Sequence, residues 1–118
     1  MNLDITQIIA ASELENERVV LQASADKNIG RALLLKARKT NDGGVSGGRI
    51  DSAYWIPDKQ VKAKDLVVIY TKSGTKSEKQ NPDGTTSHFF YWGFSAPAWS
   101  AQTVPVIVDT GTWKRFKS

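Results

Sequence analysis

Short apolar runs, each five to eight residues long, recur along this chain between turn signals. No stretch is long and periodic enough to require a substantial helix. The runs are Ile5–Ala10, Arg18–Ala23, Ala32–Ala37, Ser52–Ile56, Leu66–Thr71, Ser87–Phe94, Val104–Asp109 and Thr112–Phe116. About eight strands at this spacing predict an all-β domain, an antiparallel β-sandwich or barrel, and 118 residues suffice for one such domain over 1–118.

The residues assign some of these runs a place. Leu66-Val67-Val68-Ile69-Tyr70 is apolar on both faces, which predicts a central strand covered on both sides or facing a second copy. Val104, Val106 and Val108 share one face, and Pro105 puts that strand at a sheet edge or bulge. The aromatic block Phe89-Phe90-Tyr91-Trp92-Gly93-Phe94 carries the most buriable area, so it is expected at the centre of the core. The expected buried set is Leu21, Val68, Phe90, Trp92 and Val106. Leu33-Leu34-Leu35 reads as a strand after the turn at Asn28-Ile29-Gly30, with a short helix as its alternative on propensity alone. The four glycines of Asn41–Gly48 predict a mobile loop, Asn81-Pro82-Asp83-Gly84 a type I turn, and Thr71–Ser87 a projecting polar arm.

Composition excludes several chemistries. There is no cysteine, so disulfides, thiolate nucleophiles, zinc–thiolate sites and iron–sulfur clusters are ruled out, and a reducing cytoplasm is the expected location. No secretory signal or membrane span is expected. Residues 1–30 carry Arg18 and Lys27 against Asp4, Glu13, Glu15, Glu17 and Asp26, a balance of −3 that leaves +7 for the rest of a +4 chain. That basic remainder suits an acidic protein surface or nucleic acid, or simply keeps loops soluble.

Apparent catalytic motifs have structural readings. Asp109-Thr110-Gly111 has the form of an aspartic-protease signature, but it lacks a second motif and Trp113 crowds it, so it reads as a turn. His88, the single histidine, has no nucleophile elbow beside it and reads as a polar residue opening the aromatic strand. Gly43-Gly44-Val45-Ser46-Gly47-Gly48 lacks the Gly-Lys-Ser/Thr ending of a phosphate loop. The aspartates, Asp42, Asp51, Asp58 and Asp65 among them, lack calcium-loop spacing. No enzyme activity, cofactor or metal is expected.

The candidate binding residues are aromatic and basic. Tyr54 and Trp55 adjoin Lys59, Lys62 and Lys64, the polar arm adds Lys72 and Lys76, and Trp113, Lys114 and Arg115 follow the last long strand. Adjacent strand residues point to opposite faces, so only one of Tyr54 and Trp55 need be buried. These residues are expected to contact a protein partner or a second copy. The alternatives are nucleic acid, whose binding falls steeply with salt, and a carbohydrate or small ligand stacked on the rings.

In order, these segments resemble the lamin tail domain, an immunoglobulin-like sandwich. Asp4–Ile8 and Glu17–Gln22 are similar to that family's opening strands, and Asp26–Leu35 to its next turn and strand. Ile56-Pro57-Asp58 with Ala63–Tyr70, and Tyr91–Phe94 with Trp99 and Val104–Asp109, resemble its later elements. The chain departs from the pattern near Val19, where a tryptophan is absent, and at Lys64-Asp65, where a glycine is usual. The resemblance implies an immunoglobulin-like sandwich that binds proteins, nucleic acid or other chains without catalysis.

Overall fold

The computed structural model describes residues 1–117 and is all-β apart from one 3₁₀ turn. The strands are β1 (Leu3–Ile9), β2 (Arg18–Ala23), β3 (Lys27–Asn28), β4 (Ala32–Lys39), β5 (Val45–Trp55), β6 (Gln60–Val61), β7 (Leu66–Tyr70), β8 (Ser77–Gln80), β9 (Thr86–Tyr91) and β10 (Thr103–Asp109). They form a five-stranded sheet ordered β1-β2-β7-β9-β8, a three-stranded sheet ordered β10-β4-β5, and the small pair β3-β6.

Alternation decides what each sheet buries. Val19, Leu21, Val67, Ile69 and Phe90 of the larger sheet join Ala32 and Leu34 of the smaller one in a single core. Ile29, Ile56 and Trp99 from the connections and Val61 from β6 add to that core. At one end Trp92 bridges Tyr54, Phe94 and Trp99, with ring centroids 5.6, 5.0 and 6.1 Å away. Of the expected core, Leu21, Val68 and Phe90 are buried, whereas Trp92 and Val106 are half-buried. The tryptophan that lies inside is Trp99, at 2% exposure.

β7 is central, as its two apolar faces predict, but its pairing with β9 is parallel. The chain leaves Tyr70, crosses the end of β9, returns as β8 on its far side and turns back through Asn81–Gly84. Gly74 sits at that crossing, where a Cβ would come within 2.5 Å of the Tyr91 ring. The Gly93 and Phe94 amides donate to Thr71 O at 3.1 and 2.8 Å and fix the crossover.

Three further expectations are corrected. Thr71–Ser87 does not project as an arm, because Ser77–Gln80 pairs with Thr86–Phe89. Val45 to Gly48 begin β5, so the Asn41–Gly48 loop shrinks to the turn closed by the Gly43 amide on Thr40 O at 3.1 Å. Thr112–Phe116 forms no strand. Asp109-Thr110-Gly111 is a turn, with the Gly111 amide on Asp109 Oδ1 at 3.0 Å and Lys27 Nζ on Oδ2 at 2.9 Å. Those two donors, the lysine first, hold the Asp109 carboxyl below its usual range.

Candidate docking surface

On the outer face of the three-stranded sheet the paired residues of three successive rows are all apolar, with Asp51 unpaired in a β5 bulge between the second and third. Register aligns Val108 with Leu33 and Trp55, then Val106 with Leu35 and Ala53, then Val104 with Ala37 and Ile50. Leu34, Tyr54 and Ile107 alternate with these residues and pack on the core, which fixes the opposite face as the outward one. The three valines therefore share a face as expected, but that face is turned away from the core. Pro105 lies on edge strand β10, where its missing N–H breaks no ladder within the sheet.

Exposure rises toward β5, where Ile50 is 40% and Trp55 49% exposed. Trp113 leans edge-on against Trp55 with centroids 5.0 Å apart, and extends the apolar surface past the sheet. The Trp55 indole N–H donates to Gly30 O at 2.6 Å, which holds the ring upright beside β4. Gly30 permits this because it lies against Asp58, where a Cβ would come 2.8 Å from the Asp58 Cα. The outer face of the five-stranded sheet also carries an apolar strip, Val20, Leu66, Val68, Tyr70, Phe89 and Tyr91, but there Asp4, Gln7, Arg18, Gln22, Ser87 and Lys79 share the face and interrupt every row.

The candidate binding residues divide among separate places. Trp55, Trp113, Lys114 and Arg115 stand at one end of the apolar face. Tyr54 points inward onto Trp92, and burial raises its hydroxyl above the usual value. Lys72 sits 5.3 Å over the Tyr70 ring and pairs with Glu15 at 3.7 Å. Lys59 and Lys76 line a cleft of about 200 Å³ beside His88, with Lys62 on its polar margin.

Beside that cleft lies a cluster of ionisable groups that sequence reasoning missed, with His88 and Asp65 buried and Glu78 and Lys59 exposed. His88, 5% exposed, places Nε2 3.0 Å from Asp65 and Nδ1 3.5 Å from Glu78, which Lys59 holds at 3.0 Å. Asp65 also accepts the Lys62 and Thr86 amides, each at 3.0 Å. Burial raises the Asp65 carboxyl, but the hydrogen bonds from His88, Thr86 and Lys62 outweigh it and leave the carboxyl below its usual range. A carboxyl lowered on folding stabilises above its unfolded value, near 3.9, and that contribution is lost as pH falls through the lower folded value. Asp65→Asn should therefore cost about 1–3 kcal/mol at pH 7 and flatten the acid limb of stability below about pH 4. Urea midpoints measured against pH check this, and an unchanged acid limb contradicts it.

Among the described residues, no group of three or more His, Asp or Glu is placed to hold a metal ion, and no helix is long and apolar enough to cross a membrane. No protein-family model matches the chain, and no curated protein matches it.

Proposed function

We propose that this protein is a non-catalytic, cytoplasmic docking module, an immunoglobulin-like sandwich of the lamin tail kind, that binds another protein through the outer face of its three-stranded sheet. The observation that carries this reading is the apolar lattice of Val104, Val106, Val108, Leu33, Leu35, Ile50, Ala53 and Trp55, eight accessible residues set around the fully buried Ala37. Contiguous apolar patches beyond a few hundred Å² are uncommon on monomers, and their burial favours association at roughly 25 cal/mol per Å². Aliphatic side chains neither track phosphates nor stack on bases. Lys59, Lys62 and Lys72 lie away from this face and the cations nearer to it stand only beyond its two ends, so its wholly apolar centre suits a protein better than nucleic acid.

Ala53→Arg tests the reading. Ala53 is exposed at the edge of the middle row, so an arginine there should change stability by no more than about 0.5 kcal/mol. In a docked complex the same guanidinium would be buried without a partner. Quantitative capture from native host cells should lose a partner with Ala53→Arg and keep it with Gln22→Arg on the other sheet. Equal recovery by both variants and wild type contradicts the assignment.

A further inference from the structure

We infer that the occupant of this face is a protein surface whose apolar centre is flanked by acidic groups. The inference rests on the docking reading and adds the partner's charge. Cations stand at both ends of the lattice. Lys39 and Arg49 gather around the mouth of the β4–β5 hairpin, while Arg31, Lys114, Arg115 and Lys117 lie beyond the Leu33–Trp55 row. None of these six makes a salt bridge among the described residues.

Two of the nearby carboxylates are paired: Asp51 with Arg38 at 3.4 Å and Asp109 with Lys27 at 2.9 Å. Asp42 accepts the Thr40 hydroxyl and the Gly44 amide in its own turn and keeps its charge, against Lys39 and Arg49 at that end. Asp58 stands beside Trp55 without a salt bridge among the described residues, against Arg31, Lys114, Arg115 and Lys117 at the other end. Apposing two copies through this face would bring the cationic ends together without neutralising them, whereas acidic flanks on a different protein would match them. Trp55 between the lattice and these cations is the sort of aromatic anchor on which binding energy concentrates.

The test uses the whole protein and two synthetic β-hairpin peptides with the same valine–isoleucine face, one with glutamates and one with lysines at its ends. Fluorescence of the exposed Trp55 and Trp113 reports covering of the face. The glutamate hairpin should bind at least about tenfold tighter than the lysine hairpin in low salt, and the gap should close near about 0.5 M salt. The Lys39→Ser/Arg49→Ser variant should narrow the gap, and Ala53→Arg should abolish both affinities. Equal affinities lost together in Ala53→Arg would overturn the acidic partner while leaving the docking face. Binding of either hairpin unaffected by Ala53→Arg, or binding of neither, would remove the face as well. A wild-type dimer in low salt, lost in Ala53→Arg, would assign the face to a second copy. Competition with the glutamate hairpin by oligothymidylate would assign it to nucleic acid. Either of those last two results overturns the inference.

Discussion

Glu17→Ala should lower the free energy of unfolding by about 3–5 kcal/mol, the largest effect expected of any polar substitution in this protein. Glu17 is fully buried, and its carboxylate accepts the Ser12 amide at 2.9 Å, the Ala98 amide at 2.6 Å and the Trp99 amide at 3.4 Å. Its own carbonyl accepts Thr71 N at 3.4 Å, so one residue ties the β1–β2 connection to the crossover and to the loop before β10. Ser12 Oγ on Trp99 O, at 2.9 Å, closes the same junction. Truncation leaves the donors buried without acceptors, at roughly 1–3 kcal/mol each. Glu17→Gln keeps one acceptor oxygen but turns an NH₂ toward the remaining donor, so it should recover only part of the loss. Urea unfolding of the three proteins at pH 7 measures this, and a loss below about 1 kcal/mol for the alanine variant contradicts it.

Trp99→Ala should cost a comparable amount, about 3–5 kcal/mol, and more than Trp92→Ala. The difference follows from burial, since Trp99 is 2% exposed inside the shared core while Trp92 closes its half-open end. The Trp99 indole N–H is buried without a partner among the described residues, so Trp99→Phe sacrifices no hydrogen bond seen there and should cost much less than alanine. The same urea series ranks the three variants. Equal losses at Trp92 and Trp99 would mean that the aromatic cluster of Tyr54, Trp92, Phe94 and Trp99 unfolds as one unit rather than residue by residue.

What the sequence disclosed and what it hid follow from the range of each interaction. The centrality of Leu66–Tyr70 was legible because a strand apolar on both sides has few other places in a sheet. Alternation also disclosed that Val104, Val106 and Val108 point together and that Tyr54 and Trp55 point apart. Which direction is inward depends on pairing with Leu33–Ala37, a contact some seventy residues distant in the chain, and alternation alone cannot supply it. The parallel β7–β9 pair was hidden for the same reason, because its crossover is fixed by Thr71 O and by the space at Gly74 rather than by local propensity. Thr112–Phe116 has the composition of a strand, yet Trp113 turns to Trp55 and no ladder forms.

Glu17, Asp65 and His88 were illegible for a different reason. In sequence they resemble solvated polar residues of turns and strand starts; segments distant in the chain deliver amides to Glu17 and Asp65, and His88 is buried against Asp65. A glutamate just before an apolar strand was the available signal, and it was too common to read. The apolar face, by contrast, was half visible. Its valines and leucines are recognisable as strand faces, and Val106 is expected inside, whereas the face it shares with Val104 and Val108 is turned outward.

Because the chain has no cysteine, a single introduced thiol reports whether the apolar face is covered. Ala53→Cys places a lone thiol in the middle row of the apolar face, and Gln22→Cys places one on the outer face of the five-stranded sheet. Alkylation rates are compared for the purified proteins and for the same proteins inside native host cells. Both thiols should react freely when purified, and in cells the Ala53→Cys thiol should be protected at least about tenfold while the Gln22→Cys thiol is not. Equal labelling of the two positions in cells would contradict it.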